Sequence, residues 1–210
     1  PNSFVISSIG DARRLNPIIA NDSASGTIND QVFSGLVKYD KDIKLIGDLA
    51  EKWTVSPDGK TITFRLRKGV VWHDGAPFTA EDCLFTYQKL MDPKVATPYS
   101  SSYMDVAKAE VVDKHTFRVT YKEPFSPALE SWAMGVIPKH ILADKDLNTD
   151  GFNRKPVGTG PYKFKEWIAG QKIVLEANER YFEGKPNIDQ YLYRIIPDSS
   201  TMFQELLSGG

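Results

Sequence analysis

The stretch KWTVSPDGKTITFRLRKG, residues 52–69, restricts the fold more tightly than any other part of the chain. Ile62, Phe64 and Leu66 fall on one side and Thr63, Arg65 and Arg67 on the other, a period of two that fits a strand and not a helix. With Pro57-Asp58-Gly59 as the turn, it reads as a β-hairpin with one buried and one solvated face. The pattern recurs. KAEVVD and HTFRVTYK pair across Asp113-Lys114, PYKFKEW and KIVLEANE pair across IAGQ, and IDQYLYRII places Tyr191, Tyr193 and Ile195 on one face. FVISSIG, residues 4–10, reads as a short buried strand, followed by a polar loop, GDARRLNPIIANDSASG, that turns at Asn16-Pro17. Helical spacing predicts helices over about Ser25–Leu36, 79–91, 125–134 and 199–208, the last with Phe203, Leu206 and Leu207 on one face and Gly209 as its stop. The polar run ADKDLNTDGFNRKP, residues 143–156, is the widest break in pattern and the expected boundary between sub-structures.

Composition narrows the partners. The 210 residues are 41% hydrophobic and 25% charged, enough to bury a core of ordinary size. With 26 Lys and Arg against 27 Asp and Glu, the formal charge of -1 gives no field to hold a phosphate backbone, so nucleic acid is not an expected partner. The single cysteine excludes an internal disulfide and leaves the compartment open. Apolar runs are only a few residues long, far short of the roughly 20 that span a bilayer. PNSFVISSIGD also lacks a charged segment leading into an apolar one, so the chain is expected to be soluble and already processed.

Candidate reactive residues concentrate in VVWHDGAPFTAEDC, residues 70–83, which holds a histidine, three acids and the cysteine. Local structure accounts for most of them. Thr79 and Asp82 have the spacing of a capping box, Phe78 can staple onto the first turn, and Glu81 suits the positive end of the helix dipole. His73-Asp74-Gly75 reads as a tight connection out of the preceding strand. The histidines at 73, 115 and 140 form no metal-ligand pattern, and no metal or cofactor is expected. PVGTGPYKF fails the dinucleotide fingerprint at Lys163 and runs into a strand rather than a helix, so it reads as a glycine-rich strand entry. Cys83 falls on a helix, where a small buried side chain is the ordinary role. His140 in VIPKHIL has no nucleophile or orienting acid near it in sequence, so a hydrolase built on His73 or His140 stands only as the minor alternative. Among aromatic residues, Tyr99 reads as an edge of the core, whereas Tyr103 in TPYSSSYMD and Trp132 before AMG are open to a second reading as exposed loop aromatics that line a ligand cleft.

Taken in order, SGLVKYD, GDLAEKWTVSPDGKTITFRLRKGVVWHDGAPFTAEDCLFTYQKLMDP, VVDKHTFRVTYKEPFSP, VIPKHIL, PVGTGPYKFKEW, VLEANERYFEGKPNID and RIIPDSSTMFQELLSGG resemble the extracellular solute-binding proteins of family 5 across the whole chain. Those proteins serve ABC importers for dipeptides, oligopeptides, nickel complexes and other solutes. The resemblance implies an α/β fold of the periplasmic binding protein type II kind: a lobe with a mixed β-sheet plus an inserted α+β subdomain, with the second lobe absent from these residues. It assigns 1–37 and 152–210 to the first lobe and 38–151 to the subdomain. It places Asn21, Asp22, Ser23, Ala24 and Ser25, then Tyr103, and more loosely Trp132, Met134 and Gly135, toward the solute cleft. It implies a non-enzymatic, monomeric binding subunit, periplasmic or lipid-anchored at the outer face of the cytoplasmic membrane, which delivers a peptide to a membrane permease. A nickel chelate or an oligosaccharide is the alternative solute.

Overall fold

In the structure, a computed structural model, residues 2–124 and 127–208 are described. The two ends of the chain build one four-stranded mixed sheet. β1 (Ser3–Ser8) runs parallel to β10 (Gln190–Ile195), which pairs antiparallel with β9 (Lys172–Ala177), which in turn pairs with β8 (Tyr162–Ile168). The middle of the chain builds an antiparallel sheet in the order β4 (Ala50–Val55), β5 (Thr61–Leu66), β7 (Thr116–Tyr121), β6 (Val106–Asp113). A short ribbon of β2 (Val37–Tyr39) and β3 (Leu45–Gly47) lies between them in sequence.

All three expected hairpins form, and the period-two faces point as the sequence requires. Ile62, Phe64 and Leu66 are buried, and Phe64 and Ile62 stand opposite Phe117 and Val119 of β7. Each such side chain contributes about 2 kcal/mol when fully buried, more than the 0–1 kcal/mol of an exposed ion pair such as Lys60 with Glu123. The core, not the surface charge, sets this sheet. α2 (Ala80–Met91) packs on β6 and β7 and begins at the expected capping box: Thr79 N–H donates to Asp82 Oδ2 at 3.0 Å, and Glu81 N–H donates to Thr79 Oγ1 at 3.3 Å.

Several expectations need correcting. FVISSIG is not a buried strand: β1 has only β10 beside it among the described residues, so Phe4 and Val5 are half exposed. The polar loop after it contains fully buried Leu15, Ile18 and Ile19. α1 spans Ser23–Val32 rather than about Ser25–Leu36. Its start is set by Asp22, whose Oδ1 accepts from Ser25 N–H at 2.8 Å, and its end by a distant partner, Gly160, whose N–H donates to the Val32 carbonyl at 2.9 Å. No local residue signals that stop. The helix expected at 125–134 is the four-residue α3 (Ala128–Ser131), with positions 125 and 126 outside the described residues. α4 (Lys139–Leu142) is a single turn, and α5 (Ser199–Ser208) matches its expected span, with Gly209 outside the described residues. The polar run 143–156 is packed in part against the rest of the chain. Leu147, Phe152 and Asn153 are buried, and the Asn153 carbonyl accepts from Leu15 N–H at 2.8 Å.

The glycine-rich strand entry is a packing requirement. A Cβ on Gly158 would stand 1.9 Å from the Val32 carbonyl oxygen, and one on Gly160 would stand 2.5 Å from that of Gln31. Only a bare backbone can lie against the C-terminus of α1 at this distance. Gly158→Ala is therefore expected to destabilise the protein by about 2–3 kcal/mol in urea unfolding, whereas Gly151→Ala, whose Cβ meets open space, should stay within about 0.5 kcal/mol of wild type.

Candidate functional site

The segment from Asp11 to Ser25 is bound at every few residues. Asp11 Oδ1 accepts from Trp167 Nε1–H at 3.0 Å, and its Oδ2 accepts from Gly170 N–H at 2.8 Å. Ser25 Oγ, fully buried, accepts from the Arg13 and Arg14 N–H groups at 2.9 and 3.0 Å. Asn16 is also fully buried. It donates through Nδ2 to Asn153 Oδ1 at 3.2 Å, while its carbonyl accepts from Ala20 N–H at 3.0 Å. Tyr99 Oη donates to the Ala20 carbonyl at 2.5 Å. The outcome is an irregular segment as firmly held as regular structure, which presents exposed Asn21 and Ser23 at the N-terminus of α1. Asp22 spends Oδ1 on the helix cap, and its Oδ2 is buried with no hydrogen-bond partner among the described residues. Ala24 and Ser25 point into the core.

The aromatic candidates are placed elsewhere. Tyr103 and Trp132 are buried at 1% and 5% exposure, so the reading of them as exposed loop aromatics is corrected. Their rings meet edge to face at 5.4 Å, Trp132 also meets Phe117 at 5.5 Å, and their polar atoms are committed: Tyr103 Oη donates to the Ser131 carbonyl at 2.6 Å and Trp132 Nε1–H to Tyr121 Oη at 2.9 Å. Burial pushes the Tyr103 hydroxyl pKa well up, so it stays protonated. The cause of the misplacement is physical. An aromatic residue in a stretch without periodicity carries no facing information, and here a 3-10 turn over Ser100–Tyr103 rotates Tyr103 inward. Met134 is half-buried beside this cluster, and Gly135 packs against Phe33 and Pro17. Tyr99 joins the 97–103 segment to Ala20, just before Asn21–Ser25, through a hydrogen bond that sequence spacing cannot announce.

The cluster at 70–83 is structural wiring, and more of it than its local pattern suggests. Asp82 is buried and accepts from Thr79 N–H, from Trp72 Nε1–H at 3.4 Å and from Lys139 N–H at 3.0 Å, so one carboxylate joins a strand end, α2 and α4. Gly75 takes a φ of +93° in the expected tight turn. His73 reaches across to the glycine-rich entry: its Nδ1 accepts from Gly158 N–H at 3.2 Å, and its Nε2–H donates to the Gly160 carbonyl at 3.0 Å. Both ring nitrogens are used, which fixes a neutral tautomer and leaves no base for hydrolysis. His140 pairs with Asp74 at 2.6 Å, and no hydroxyl or thiol bonds either histidine among the described residues. Cys83 is buried, and burial raises its thiol pKa. Among the described residues no group of three or more His, Cys, Asp or Glu is arranged to hold a metal, and no helix is long and apolar enough to cross a membrane.

A mixed sheet closed by the returning chain, an antiparallel sheet from the intervening residues and a firmly held loop at a helix N-terminus are the features that position the candidate site. The chain belongs to the bacterial extracellular solute-binding proteins of family 5: residues 44–210 match "Bacterial extracellular solute-binding proteins, family 5 Middle". It is 37% identical to the oligopeptide-binding protein AppA of Bacillus subtilis (strain 168) over 98% of this chain and 39% of AppA. Among solved structures, that of Bacillus subtilis AppA in complex with a nonapeptide superposes with a TM-score of 0.92 at 34% identity, over 99% of this chain and 42% of that one. The structure of NikZ from Campylobacter jejuni in complex with Ni(L-His) also gives a TM-score of 0.92, at 32% identity and with the same coverage, 99% and 42%. The chain thus spans about two fifths of the length of the relatives it matches.

Partly buried His73 and buried Asp48 make opposite contributions to acid stability. Burial lowers the His73 pKa from 6.5 to about 4, outweighing the Gly160 hydrogen bond that favours the proton. The unfolded chain therefore takes that proton first, and the stability His73 supports is complete above about pH 6.5 and lost as pH falls toward 4. Asp48 is the reverse case: burial raises it from 3.8 to about 6, so folding carries a penalty above pH 6 that acid relieves. Relative to wild type, His73→Gln should lose up to about 3 kcal/mol less stability between pH 7 and pH 4, measured by urea unfolding. Asp48→Asn should shift the difference in the opposite direction.

Proposed function

We propose that this chain forms one wall of the solute cleft in the binding subunit of an ABC importer, with a di- or oligopeptide as solute. Residues 1–37 and 152–210 constitute the first lobe and 38–151 the added subdomain, and solute is held between this lobe and a second one that closes by hinge motion. The superposition on AppA in complex with a nonapeptide is the observation that carries the reading, because it extends over 99% of this chain. The likeness to a structure holding Ni(L-His) keeps a nickel chelate as the second reading. Asn21 and Ser23 are the side chains offered to the solute, on a loop braced by Ser25, Asn16 and Tyr99, and Asp22 between them caps α1. Tyr103, Trp132 and Met134 belong to the core of the added subdomain.

The subunit works at the outer face of the cytoplasmic membrane, free in the periplasm or held by a lipid, as a monomer whose closed form is recognised by the permease. No cofactor or chemical step takes part. Rigidity of the loop is the useful property, because a wall already ordered loses little entropy when solute binds.

Isothermal titration of the full-length protein against a peptide library tests the assignment. Peptide binding is the expected result, and tight binding of a nickel chelate with none of any peptide would remove the peptide part. Ser23→Trp, on an exposed position, is expected to weaken solute binding at least tenfold while the unfolding midpoint stays within a few degrees. Residues 1–210 alone should bind peptide weakly or not at all, since half the contact shell is missing; micromolar affinity of that piece would contradict the two-lobed reading.

A further inference from the structure

The middle sheet carries two hollows that share Arg65 in their walls, one of about 380 Å³ and one of about 480 Å³, both in the size range of small-molecule sites. Lys52 and Thr63 contribute to the first, which has no acid in its lining. Lys68 and His115 contribute to the second, against one acid, Glu51. Neither hollow is lined by any residue of the Asn21–Ser25 loop.

Strand register explains why positive charge collects here. Lys52 of β4 stands directly opposite Arg65 of β5, and both side chains are exposed. Like charges placed directly across a sheet destabilise it, and a counter-charge between them removes the penalty. The protein supplies no such charge. Arg67 and Arg118 nearby are engaged, by Glu183 at 3.8 Å and by Glu110 at 3.5 Å, whereas Lys52, Arg65 and Lys68 have no acid within ion-pairing distance among the described residues. Asp113 accepts from His115 N–H at 2.8 Å and reaches Arg65 only as a longer-range field. The His115 ring makes no hydrogen bond among the described residues, and Thr63 Oγ1, which accepts from Arg118 Nε–H at 3.2 Å, keeps its own hydrogen to donate. In a chain of formal charge -1, this is a local surplus of cations that the fold itself holds together.

We propose that these hollows form a second binding site, for a small soluble phosphomonoester whose phosphate seats on Arg65. The planar guanidinium donates to two phosphate oxygens at once, Lys52 supplies the second positive charge, and the Thr63 hydroxyl donates to the remaining oxygen. A phosphate group brings about two negative charges and three acceptor oxygens, which matches the opposed Lys52–Arg65 pair. A single carboxylate would neutralise only one of the two cations. The rest of the ligand extends past Arg65 toward Lys68 and His115 in the second hollow.

The test is a calorimetric titration of the full-length protein with glycerol 3-phosphate at fixed ionic strength, with glycerol as the uncharged control. Glycerol 3-phosphate should bind and glycerol should not. Arg65→Gln and Lys52→Gln should each weaken glycerol 3-phosphate at least tenfold. In phosphate-free buffer both variants should unfold at or above the wild-type urea midpoint, because each removes a like-charge pair, so a lost affinity cannot be put down to misfolding. Absence of binding by wild type, or binding that survives both substitutions, would overturn the proposal. So would binding to vesicles of phosphatidylglycerol in phosphatidylcholine with none to glycerol 3-phosphate, which would make the surface a lipid contact. The substitutions separate this site from the solute cleft, so the answer stands whether or not that cleft takes peptides.

Discussion

The backbone of Gly158-Thr159-Gly160 lies directly on the last carbonyls of α1, and His73 closes over it from the other side. Gly160 N–H caps Val32, while the two ring nitrogens of His73 take the Gly158 N–H and the Gly160 carbonyl. Three parts of the chain, distant in sequence, meet in a few hydrogen bonds: the C-terminus of α1, the turn at His73 between β5 and α2, and the entry to β8, by which the chain rejoins the first sheet. Because the contact is backbone to backbone, it has almost no tolerance for added atoms. The position of α1, and with it the Asn21–Ser25 loop, follows from it.

This contact also explains why a protein of this kind uses buried polar groups where a simple core would be apolar. Asp82, Asn16, Asn153 and Ser25 each join segments through directed hydrogen bonds. Apolar packing between Phe64, Phe117, Trp132 and their neighbours supplies most of the stability, but it is non-directional. Hydrogen bonds to named backbone atoms fix an irregular loop in one conformation, as the proposed binding wall requires. His73 and Asp48 show the accompanying cost: each is held in its less favourable environment, and their pH dependences run in opposite directions.

Elements with a strong local period were legible in the sequence. The three hairpins, the capped helix α2 and the last helix fall where alternation, turn residues and the Thr79–Asp82 box place them. The family was legible from the order of motifs. What was not legible shares a cause, since each case depends on a partner far away in the chain. α1 ends four residues early because its cap is Gly160; FVISSIG is half exposed because it has one neighbouring strand; Tyr103 faces inward because a 3-10 turn and the Ser131 carbonyl hold it there. The same applies at the candidate site. Asn21 and Ser23 are exposed, but the bracing of their loop by Tyr99 and Asn153 was invisible until the chain was folded.

Amide hydrogen exchange on the full-length protein, with and without a bound peptide, tests most directly whether a rigid platform carries a solute-contacting loop. Residues 21–25 should gain protection when peptide is added, while the Gly160 and His73 amides, already locked at the α1 junction, should exchange slowly and equally in both states. Unchanged protection at 21–25 with bound peptide, or fast exchange at Gly160 and His73 in its absence, would contradict the account.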